Sequence, residues 1–380
     1  MNERIYLDWN ATAPLRKEAR GAAFAALDLL GNPSSVHGEG RAARHRIEQA
    51  REQVAALVGA APRDVVFTSG GTEANMSALV PTAARDRLLV SSIEHPSVLA
   101  GGRFPAGSIE RLPVTDSGAV DLDALERRMA ALGGRALVSL MLANNETGVV
   151  QPVAEAARLV HAAGGTLHVD AVQAGGRIPC DINALDADFL TLSGHKIGAP
   201  KGVGALVGRN AVALDPLVKG GGQERGLRGG TENVAGIAGF GAAAAAARAG
   251  LATDRARMAA LRDRLEAGLK AASPQIVIFG AQSERLPNTT LFAVAGMRAE
   301  TAVIAFDLAG VAVSAGAACS SGKVQSSHVL AAMGVPPQLA GAAVRVSLGP
   351  STTESEIDRF IEAWIKVSGS LLRESQGIAA

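Results

Sequence analysis

Short apolar segments that alternate with helix-like segments constrain the fold of this chain more than any other feature. Six such segments lie between residues 65 and 207, each bounded by turn-forming residues: Val65–Thr68, Leu88–Ser91, Ala136–Met141, Thr166–Asp170, Phe189–Ser193 and Gly204–Val207. Strands that alternate with helices favour a mainly parallel sheet covered on both faces. Ligands of such sheets bind beyond the carboxyl ends of the strands, so we expect chemistry in the residues that follow each strand.

The strand pattern restarts after an alanine-rich, helix-favouring stretch at residues 235–269. Further apolar segments follow it, with one intervening helix predicted at Ala299–Leu308: Ile276–Phe279, Thr289–Val294, Val311–Ser314 and Ala343–Leu348. A half-buried helix near the C-terminus is predicted by the spacing of five residues: Ile357, Phe360, Ile361, Trp364 and Ile365. We therefore predict an α/β fold with a large domain at 16–255 and a smaller α/β domain formed by 1–15 and 256–380.

Charge and composition exclude several classes of protein. With 37 Lys and Arg against 36 Asp and Glu, the net charge of +1 argues against nucleic acid or an acidic membrane as the main partner. The longest apolar run, Val234–Ala247, has 14 residues, fewer than the roughly 20 of a membrane span, and predicts a buried helix. The first ten residues lack a signal-peptide core, and two cysteines form neither a disulfide framework nor a metal-binding pair. We expect a cytoplasmic protein.

Lys196 is the first candidate for catalysis. Lysine is scarce in this chain, and Lys196 follows the predicted strand Phe189–Ser193 directly, after Gly194 and His195. An amine held on a turn at the carboxyl end of a strand is suited to forming a Schiff base with a carbonyl group. The alternative is an ordinary solvated lysine of a loop.

Asp170 ends the predicted strand Thr166–Asp170 and is expected at the same sheet edge as Lys196. A carboxylate there is costly to bury unless a positive charge pairs with it. Pyridoxal phosphate requires a lysine for its aldehyde and an acid that keeps its ring nitrogen protonated, so this pair of residues predicts that cofactor. The alternative for Asp170 is a helix N-cap.

A glycine-containing turn at residues 68–73 follows the strand Val65–Thr68 and precedes a predicted helix start. The backbone N–H groups of such a helix start, together with the Thr72 hydroxyl, are suited to a phosphate dianion. Ser193 and His195, on either side of Gly194, are placed to add hydrogen bonds.

Two histidines and an arginine complete the polar candidates. His95 follows Leu88–Ser91 and is suited to stacking on a cofactor ring or moving protons, with a hydrogen-bonded structural histidine as the alternative. His168 alternates within a strand and is interpreted as structural. Arg345 is a lone charge in the segment Ala343–Leu348 and is suited to binding a substrate carboxylate; a protein ion pair or an outward-facing arginine is the alternative.

The two cysteines have different surroundings. Cys319 lies among small residues at 315–322, directly after a predicted strand, where a thiol on an exposed loop can reach a substrate. Cys180 lies between apolar neighbours and is interpreted as structural.

These segments together resemble the cysteine desulfurases of the NifS/IscS type, pyridoxal-phosphate enzymes of the class-V aminotransferase family with an aspartate-aminotransferase-like fold. The resemblance runs from Tyr6 to the final helix. It rests on motifs at residues 31–37, 67–73, 144–148, 168–173, 193–196 and 220–225 and on the loop that carries Cys319.

The resemblance implies a role for each matching position. The catalytic residues would be Lys196, which binds the cofactor and moves the substrate α-proton, Cys319, which takes the sulfur as a persulfide, and His95, which stacks on the cofactor ring. Asp170 would pair with the ring nitrogen and Gln173 would contact the phenolic oxygen. The other implied cofactor contacts are Gly71, Thr72, Asn145, Ser193 and His195, with Thr231 from a second subunit. The implied substrate contacts are Asn32, Asn145 and Arg345.

The resemblance predicts a homodimeric cysteine desulfurase that releases alanine from L-cysteine and passes sulfur, through an acceptor or scaffold protein, to iron–sulfur clusters or other thio-cofactors. A selenocysteine lyase or another enzyme of the same family is the first alternative, and a non-enzymatic sulfur carrier or scaffold subunit is the second. Cys319 argues against an aminotransferase, which needs no thiol. Two segments depart from the family pattern: Trp9 in the N-terminal motif and residues 324–327 after the cysteine.

Overall fold

The computed structural model describes residues 4–209, 215–316 and 327–377. In chain order its helices are α1 (Lys17–Leu27), α2 (Gly38–Leu57), α3 (Gly71–Ala78), α4 (Pro96–Leu99), α5 (Leu122–Leu132), α6 (Val153–Ala162), α7 (Val234–Ala272), α8 (Ala299–Leu308), α9 (His328–Ala332), α10 (Pro337–Ala340) and α11 (Glu354–Gly377). Its strands are β1 (Ile5–Tyr6), β2 (Val65–Thr68), β3 (Arg87–Ser91), β4 (Ile109–Leu112), β5 (Ala136–Met141), β6 (Thr166–Asp170), β7 (Phe189–Ser193), β8 (Gly204–Gly208), β9 (Val277–Ile278), β10 (Thr289–Ala293), β11 (Val311–Ala312), β12 (Ser314–Ala315) and β13 (Val344–Ser347).

A seven-stranded sheet organises the first two thirds of the chain. Its strand order is β2-β8-β7-β6-β5-β3-β4, with β8 antiparallel to both its neighbours and the remaining pairs parallel. The predicted mainly parallel sheet is confirmed, and all six segments predicted as strands belong to it. Strand β4 was not predicted because two of its four residues, Glu110 and Arg111, are charged. It lies at the sheet edge and pairs with β3 alone, a position where charged residues are common.

A smaller antiparallel sheet of order β12-β13-β10-β9 follows, and β1 pairs in parallel with β11. The segment Val311–Ser314 was predicted as one strand, and this prediction was wrong. Val311 and Ala312 pair with β1, whereas Ser314 and Ala315 pair with β13. Apolar patterning shows that a segment is extended, but it does not show that the segment changes its partner midway.

Each sheet has its own hydrophobic core. The core of the smaller sheet is built around aromatic rings: Trp364 meets Phe292 edge-on at 5.1 Å, and Phe360 stacks on Phe306 at 5.1 Å. The apolar stripe predicted for α11 is confirmed for Phe360 and Trp364, which are buried, but Ile365 is 55% exposed.

Helix α7 connects the two cores. It packs against α1 and α2 in the core of the large sheet and against α11 in that of the smaller sheet. The predicted domain boundary between residues 255 and 256 falls inside this continuous helix, and the division into domains remains a prediction. In the described part of the chain, α7 is the one helix long and apolar enough to cross a membrane, yet half of its most apolar window is buried inside the fold, as in a core helix.

The N-terminal segment joins the two sheets. Asp8 bridges to Ser347 at the end of β13, and the backbone N–H of Asn10 donates to Ser347 Oγ at 2.9 Å. The N–H of Ala13 then donates to the carbonyl oxygen of His195, beyond the end of β7, at 2.9 Å. The segment therefore passes from the smaller sheet across the carboxyl edge of the large one.

Candidate active site

One edge of the large sheet gathers the residues predicted to carry the chemistry. Gly71 follows β2, His95 follows β3, Asn145 follows β5, Asp170 ends β6, and Lys196 follows β7. These strands end at the same edge. Burial lowers the pKa of both Lys196 and His95, and the Asp170 carboxylate opposes this effect at each of them, so the three side chains lie within electrostatic range of one another.

Lys196 ends a 3₁₀ turn that follows β7 directly. Its Nζ donates hydrogen bonds to the backbone oxygens of Asn10, at 2.5 Å, and Ala11, at 3.0 Å. Burial, reinforced by two nearby arginines, lowers the pKa of Lys196 from 10.5 to about 7. A neutral amine has two N–H groups, and these two hydrogen bonds use both of them. The nitrogen lone pair is left available to attack a carbonyl carbon.

Asp170 is buried at the end of β6 with 5% of its surface exposed. Its Oδ2 accepts from Asn75 Nδ2 at 2.8 Å and its Oδ1 accepts from the N–H of Val172 at 3.0 Å. Both donors are neutral, and no lysine or arginine of the described residues forms an ion pair with it. Residues 171–188 contain no helix, so the alternative of a helix N-cap was wrong.

Gln173 lies in the turn after Asp170 and is buried. Its Nε2 donates to the backbone oxygen of Asn10 at 3.1 Å, and its Oε1 accepts from Arg177 Nη1. The backbone oxygen of Asn10 therefore binds both Gln173 and Lys196. The three residues form one connected group beside Asp170.

The glycine turn packs against the ends of β6 and β7. Gly71 is the first residue of α3, and a Cβ added to it would lie 3.0 Å from Val172 Cγ2 and 3.3 Å from Ser193 Cβ. The absence of a side chain at Gly71 thus brings the N–H groups at the start of α3 close to Ser193. Thr72 follows on the exposed side of this helix start. The arrangement suits an anion such as a phosphate group.

His95 and His195 lie on two sides of this edge. His95 caps α4 and its Nδ1 lies 2.7 Å from Ser97 Oγ; its ring is exposed, although the surrounding protein lowers its pKa. His195 Nδ1 lies 3.1 Å from Thr12 Oγ1. Burial and the neighbouring Lys196 lower the pKa of His195 from 6.5 to about 4, so its ring is neutral at pH 7.

Arg345 reaches this edge from β13. Its Nη2 donates to Asp8 Oδ1 at 2.8 Å and its Nη1 to the backbone oxygen of Asn145 at 2.9 Å. The protein ion pair considered for Arg345 is therefore present. Its Nε is buried and has no hydrogen-bond partner in the described ranges, so one N–H remains available to an acceptor.

Asn32 and Thr231 are exposed on this single chain. The Asn32 side chain accepts a hydrogen bond from the N–H of Ser34 at 2.9 Å, a contact within its own turn. Neither residue hydrogen-bonds to the group around Lys196 in the described part of the structure. The structure thus does not bring these two predicted site residues together with the others.

Cys319 lies outside the described residues, and the described chain that resumes at Ser327 is held at the same edge by hydrogen bonds. Ser327 Oγ donates to Glu146 Oε2 at 2.6 Å, and His328 Nε2 lies 3.0 Å from the backbone oxygen of Glu94. Glu146 and Glu94 belong to the segments that follow β5 and β3. The described chain after Cys319 therefore begins at the predicted site.

Two residues interpreted as structural are fully buried in the large core. His168 lies with Nδ1 2.8 Å from Ser139 Oγ and Nε2 3.0 Å from Thr191 Oγ1, and burial lowers its pKa to about 4. Burial raises the pKa of the Cys180 thiol to about 12, far from the range of a reactive thiolate. Both interpretations are confirmed.

Sequence reasoning missed Asn10 and Arg177. The contacts of Asn10 with Lys196 and Gln173 are made by its backbone oxygen, which no side-chain pattern reveals. Arg177 carries a signal that was overlooked, because it stands between two glycines and apolar Ile178, only four residues after Gln173. An arginine in such surroundings is a candidate for a buried charge.

Comparison with known proteins relates this chain to one enzyme family along nearly its whole length. The model of the family described as aminotransferase class-V matches residues 5–360. The chain is 46% identical over 371 residues to a cysteine desulfurase of Cereibacter sphaeroides, with 95% of this chain and 94% of that protein covered. It is 43% identical over 366 residues to a cysteine desulfurase of Trichormus azollae, with 94% and 91% covered.

A solved structure agrees with these sequence relatives. The NifS-like protein from Rickettsia africae has a TM-score of 0.88 to this structure at 37% identity, with 97% of this chain and 100% of that chain covered. The predicted aspartate-aminotransferase-like fold is confirmed. The chain belongs to the class-V aminotransferase family, and within that family it is similar to the cysteine desulfurases.

Proposed function

We propose that this chain is a pyridoxal-phosphate-dependent cysteine desulfurase, which converts L-cysteine to L-alanine and transfers the sulfur atom to Cys319. The observation that carries the proposal is the presence at one sheet edge of a half-buried amine with a lowered pKa, Lys196, and a buried carboxylate without a cationic partner, Asp170. The names of the relatives and of the structural neighbours support cysteine as the substrate.

The residues present fit the cofactor. When bound, pyridoxal phosphate supplies an aldehyde that takes up the amine of an amino acid and a protonated ring that withdraws electrons from it. Asp170 would hold the ring nitrogen, since its negative charge has no cation in the described structure. Gln173 would donate its second Nε2 hydrogen to the phenolic oxygen, and His95 would stack on the ring. The phosphate would bind at the start of α3, between residues that share this edge: Gly71, Thr72, Ser193 and His195, with Thr231 from a second subunit.

The substrate would be held by its carboxylate. Arg345 has a buried Nε–H without a partner, and the Asn145 side chain, half-buried beside it, adds a further donor. Asn32 is the third residue proposed for this role. Because the pKa of Lys196 is about 7, its amine can both accept and return the substrate α-proton near neutral pH.

The transfer of sulfur from L-cysteine to Cys319 requires no external oxidant or reductant. The Cys319 thiolate attacks the substrate sulfur, so a sulfur–sulfur bond forms while the substrate carbon–sulfur bond breaks. The electron pair of the broken bond stays with the carbon, which takes up a proton and leaves as alanine. The enzyme keeps a persulfide, and a thiol acceptor then removes the outer sulfur.

A product assay tests this proposal. Purified protein is incubated with pyridoxal phosphate, L-cysteine and a thiol reductant, and sulfide and alanine are quantified over time. We expect equal amounts of both products from the wild type and neither from Cys319→Ala. A parallel reaction with L-selenocysteine measures the preference between the two substrates.

The second cysteine of the chain provides a matched control. Cys180→Ala removes an inert buried thiol, so this variant should keep both products and should carry one persulfide on Cys319, detected by mass spectrometry before reductant is added. Sulfide and alanine from Cys319→Ala at the wild-type rate would contradict the proposed sulfur transfer. No product from any variant would contradict cysteine as the substrate.

The proposal extends to the biological setting. The family resemblance supports a cytoplasmic homodimer that passes its sulfur to an acceptor or scaffold protein for iron–sulfur clusters or other thio-cofactors. The exposure of Thr231 on a single chain agrees with a role in a second subunit. A fully active monomer, found by sedimentation of the working enzyme, would contradict that role.

A further inference from the structure

Arg177 is a buried arginine without a counter-ion. Only 6% of its surface is exposed, and no carboxylate of the described residues lies within ion-pair distance of its guanidinium. Burying an unpaired cation lowers the stability of the fold, so a buried Arg177 next to Lys196 points to a role in the chemistry of the site.

The guanidinium of Arg177 is held by neutral oxygens alone. Nη1 donates to the backbone oxygen of Gln173, at 2.8 Å, and to its Oε1. Nη2 donates to the backbone oxygens of Trp9, at 3.2 Å, and Lys196, at 3.4 Å. These dipoles orient the group but leave its positive charge uncompensated. Burial lowers the pKa of Arg177 to about 9, so the charge persists at pH 7.

We infer that Arg177 is a positioning residue for the chemistry at Lys196: its guanidinium fixes the orientation of the Gln173 carboxamide, and its uncompensated positive charge favours the neutral form of the Lys196 amine. This inference rests on the proposed function, because it concerns the same amine and the same cofactor contact.

The orientation of Gln173 follows from hydrogen-bond chemistry. A guanidinium group only donates, so the Gln173 oxygen must face Arg177 and the NH₂ group must face the site. One N–H then donates to the backbone oxygen of Asn10, and the other has no hydrogen-bond partner among the described residues. Without Arg177 the carboxamide could rotate and present its oxygen to the cofactor phenolic oxygen, where two acceptors would repel each other.

The effect on Lys196 follows from proximity of like charges. Arg177 and Lys196 line the same small cavity beside Trp9. A positive charge in the same cavity disfavours the protonated form of the Lys196 amine. The other charged groups around the amine are Arg345, which acts in the same direction, and Asp8 and Asp170, which oppose it. Arg16, a further cation, lines the same cavity. Burial lowers the pKa of both His95 and His195, which disfavours their charged forms.

Competitive acetylation of the cofactor-free full chain tests the charge effect. The protein is treated with trace acetic anhydride from pH 5.5 to 10, and acetylation of the Lys196 peptide is quantified by mass spectrometry. Lys219, whose side chain is 77% exposed, serves as the internal reference. The variants are Arg177→Met, Arg177→Gln and the charge-conserving Arg177→Lys.

In the wild type we expect the Lys196 amine to titrate with a midpoint of about 7. The midpoint should rise by about one pH unit in Arg177→Met and Arg177→Gln and stay close to the wild-type value in Arg177→Lys, because only the first two remove the charge. A purely structural role would leave the midpoint unchanged in all variants that fold, and that result would overturn the inference. So would an equal rise in Arg177→Lys.

Pyridoxal phosphate affinity, measured by fluorescence titration, tests the orientation of Gln173. Arg177→Met should bind the cofactor at least about tenfold more weakly than Arg177→Lys, as expected when a donor is replaced by a misoriented acceptor. Equal affinities would contradict this part of the inference. The acetylation midpoint requires neither cofactor nor cysteine, so failure of the proposed function would appear separately, as a wild type that binds no pyridoxal phosphate or forms no products.

Discussion

The two ends of the large sheet differ in how their ionisable side chains are paired. At the amino ends of the strands, the His161 ring lies between two carboxylates, 2.9 Å from Asp186 Oδ2 and 2.9 Å from Asp188 Oδ2. Arg209, just after β8, pairs with Asp186 at 2.5 Å. Each carboxylate of this group therefore faces a cation or a histidine.

The carboxyl ends of the same strands leave several ionisable groups without an oppositely charged partner. Asp170 is bound by neutral donors, and Lys196 is bound by two backbone oxygens. Glu94 is fully buried with Oε2 unpaired in the described structure, and burial raises its pKa well above the ordinary value. Arg345 has a carboxylate partner, Asp8, but its buried Nε–H has no hydrogen-bond partner in the described structure.

The comparison shows how one sheet supports both stability and chemistry. The charges at the amino edge already have partners within the protein, so they contribute to the stability of the fold without a ligand. Unpaired ionisable groups at the carboxyl edge lower the free energy of unfolding, and a ligand with groups of opposite charge would compensate them. Substitutions at the two edges should therefore have different consequences for activity and for stability.

The largest expected effect is that of Lys196→Met. Desulfuration should fall by roughly 10⁴-fold or more, because the group that binds the cofactor is lost. The cofactor-free variant should nevertheless be more stable than the wild type. The folded-state pKa of Lys196, about 7, lies below its unfolded value of 10.5, so the lysine destabilises the fold fully below pH 7 and not at all above pH 10.5. Urea unfolding at pH 6.5 and pH 9 should show the larger gain at pH 6.5.

Lys219→Met is the control, because the Lys219 side chain is 77% exposed and should affect neither activity nor stability. A Lys196→Met protein that is less stable than the wild type at pH 6.5 would contradict the contrast between the two edges, because it would show that the amine increases the free energy of unfolding instead of lowering it.

The residues at the carboxyl edge could be predicted from sequence to different degrees. Lys196 and Asp170 were found because each follows a recognisable strand, and parallel strands place such residues at one edge. The strands themselves were found because they are short, apolar and bounded by turns. The exceptions were β4, which is charged, and the split of Val311–Ser314 between two sheets.

The contacts between distant segments could not be predicted. The Asn10 oxygen meets Lys196 across 186 positions of sequence, and Arg345 meets Asp8 across 337. Such pairs depend on how the smaller sheet packs against the larger one, and local patterns carry no information about that packing. For the same reason the sequence left a protein ion pair of Arg345 as one alternative without showing which residue would supply the carboxylate.

Glu146→Gln should have an intermediate effect, on stability. Burial raises the pKa of Glu146 from 4.5 to about 7, although Ser327 and Arg345 favour its charged form. The protonated carboxyl stabilises the fold fully below pH 4.5, and this contribution is lost as pH rises through about 7. The free energy of unfolding falls by about 3 kcal/mol over that range. Glutamine cannot ionise and still accepts from Ser327. The variant should therefore match the wild type at pH 5 and be about 2–3 kcal/mol more stable at pH 8, as measured by urea unfolding.

Ser327→Ala tests whether the hydrogen bond or the charge of Glu146 matters more. Loss of the hydroxyl removes a group that favours the charged carboxylate, so this variant should be destabilised more at pH 8 than at pH 5, by about 1 kcal/mol. A Glu146→Gln variant whose stability differs from the wild type equally at both pH values would show that the carboxyl group does not titrate in this range.

The smallest expected effect lies at the amino edge, in His161→Gln. Burial lowers the pKa of His161, but its hydrogen bonds to Asp188 and Asp186 outweigh burial and raise the pKa overall. A raised pKa means that the charged ring stabilises the fold below the unfolded value of about 6.5, and that this contribution is lost as pH rises through the folded value. Urea unfolding should show that His161→Gln is about 0.5–1 kcal/mol less stable than the wild type at pH 5.5 and nearly equal to it at pH 8.5, with unchanged desulfuration. A loss of activity without a loss of stability would mean that the amino edge also takes part in the chemistry, and the contrast between the two ends of the sheet would no longer hold.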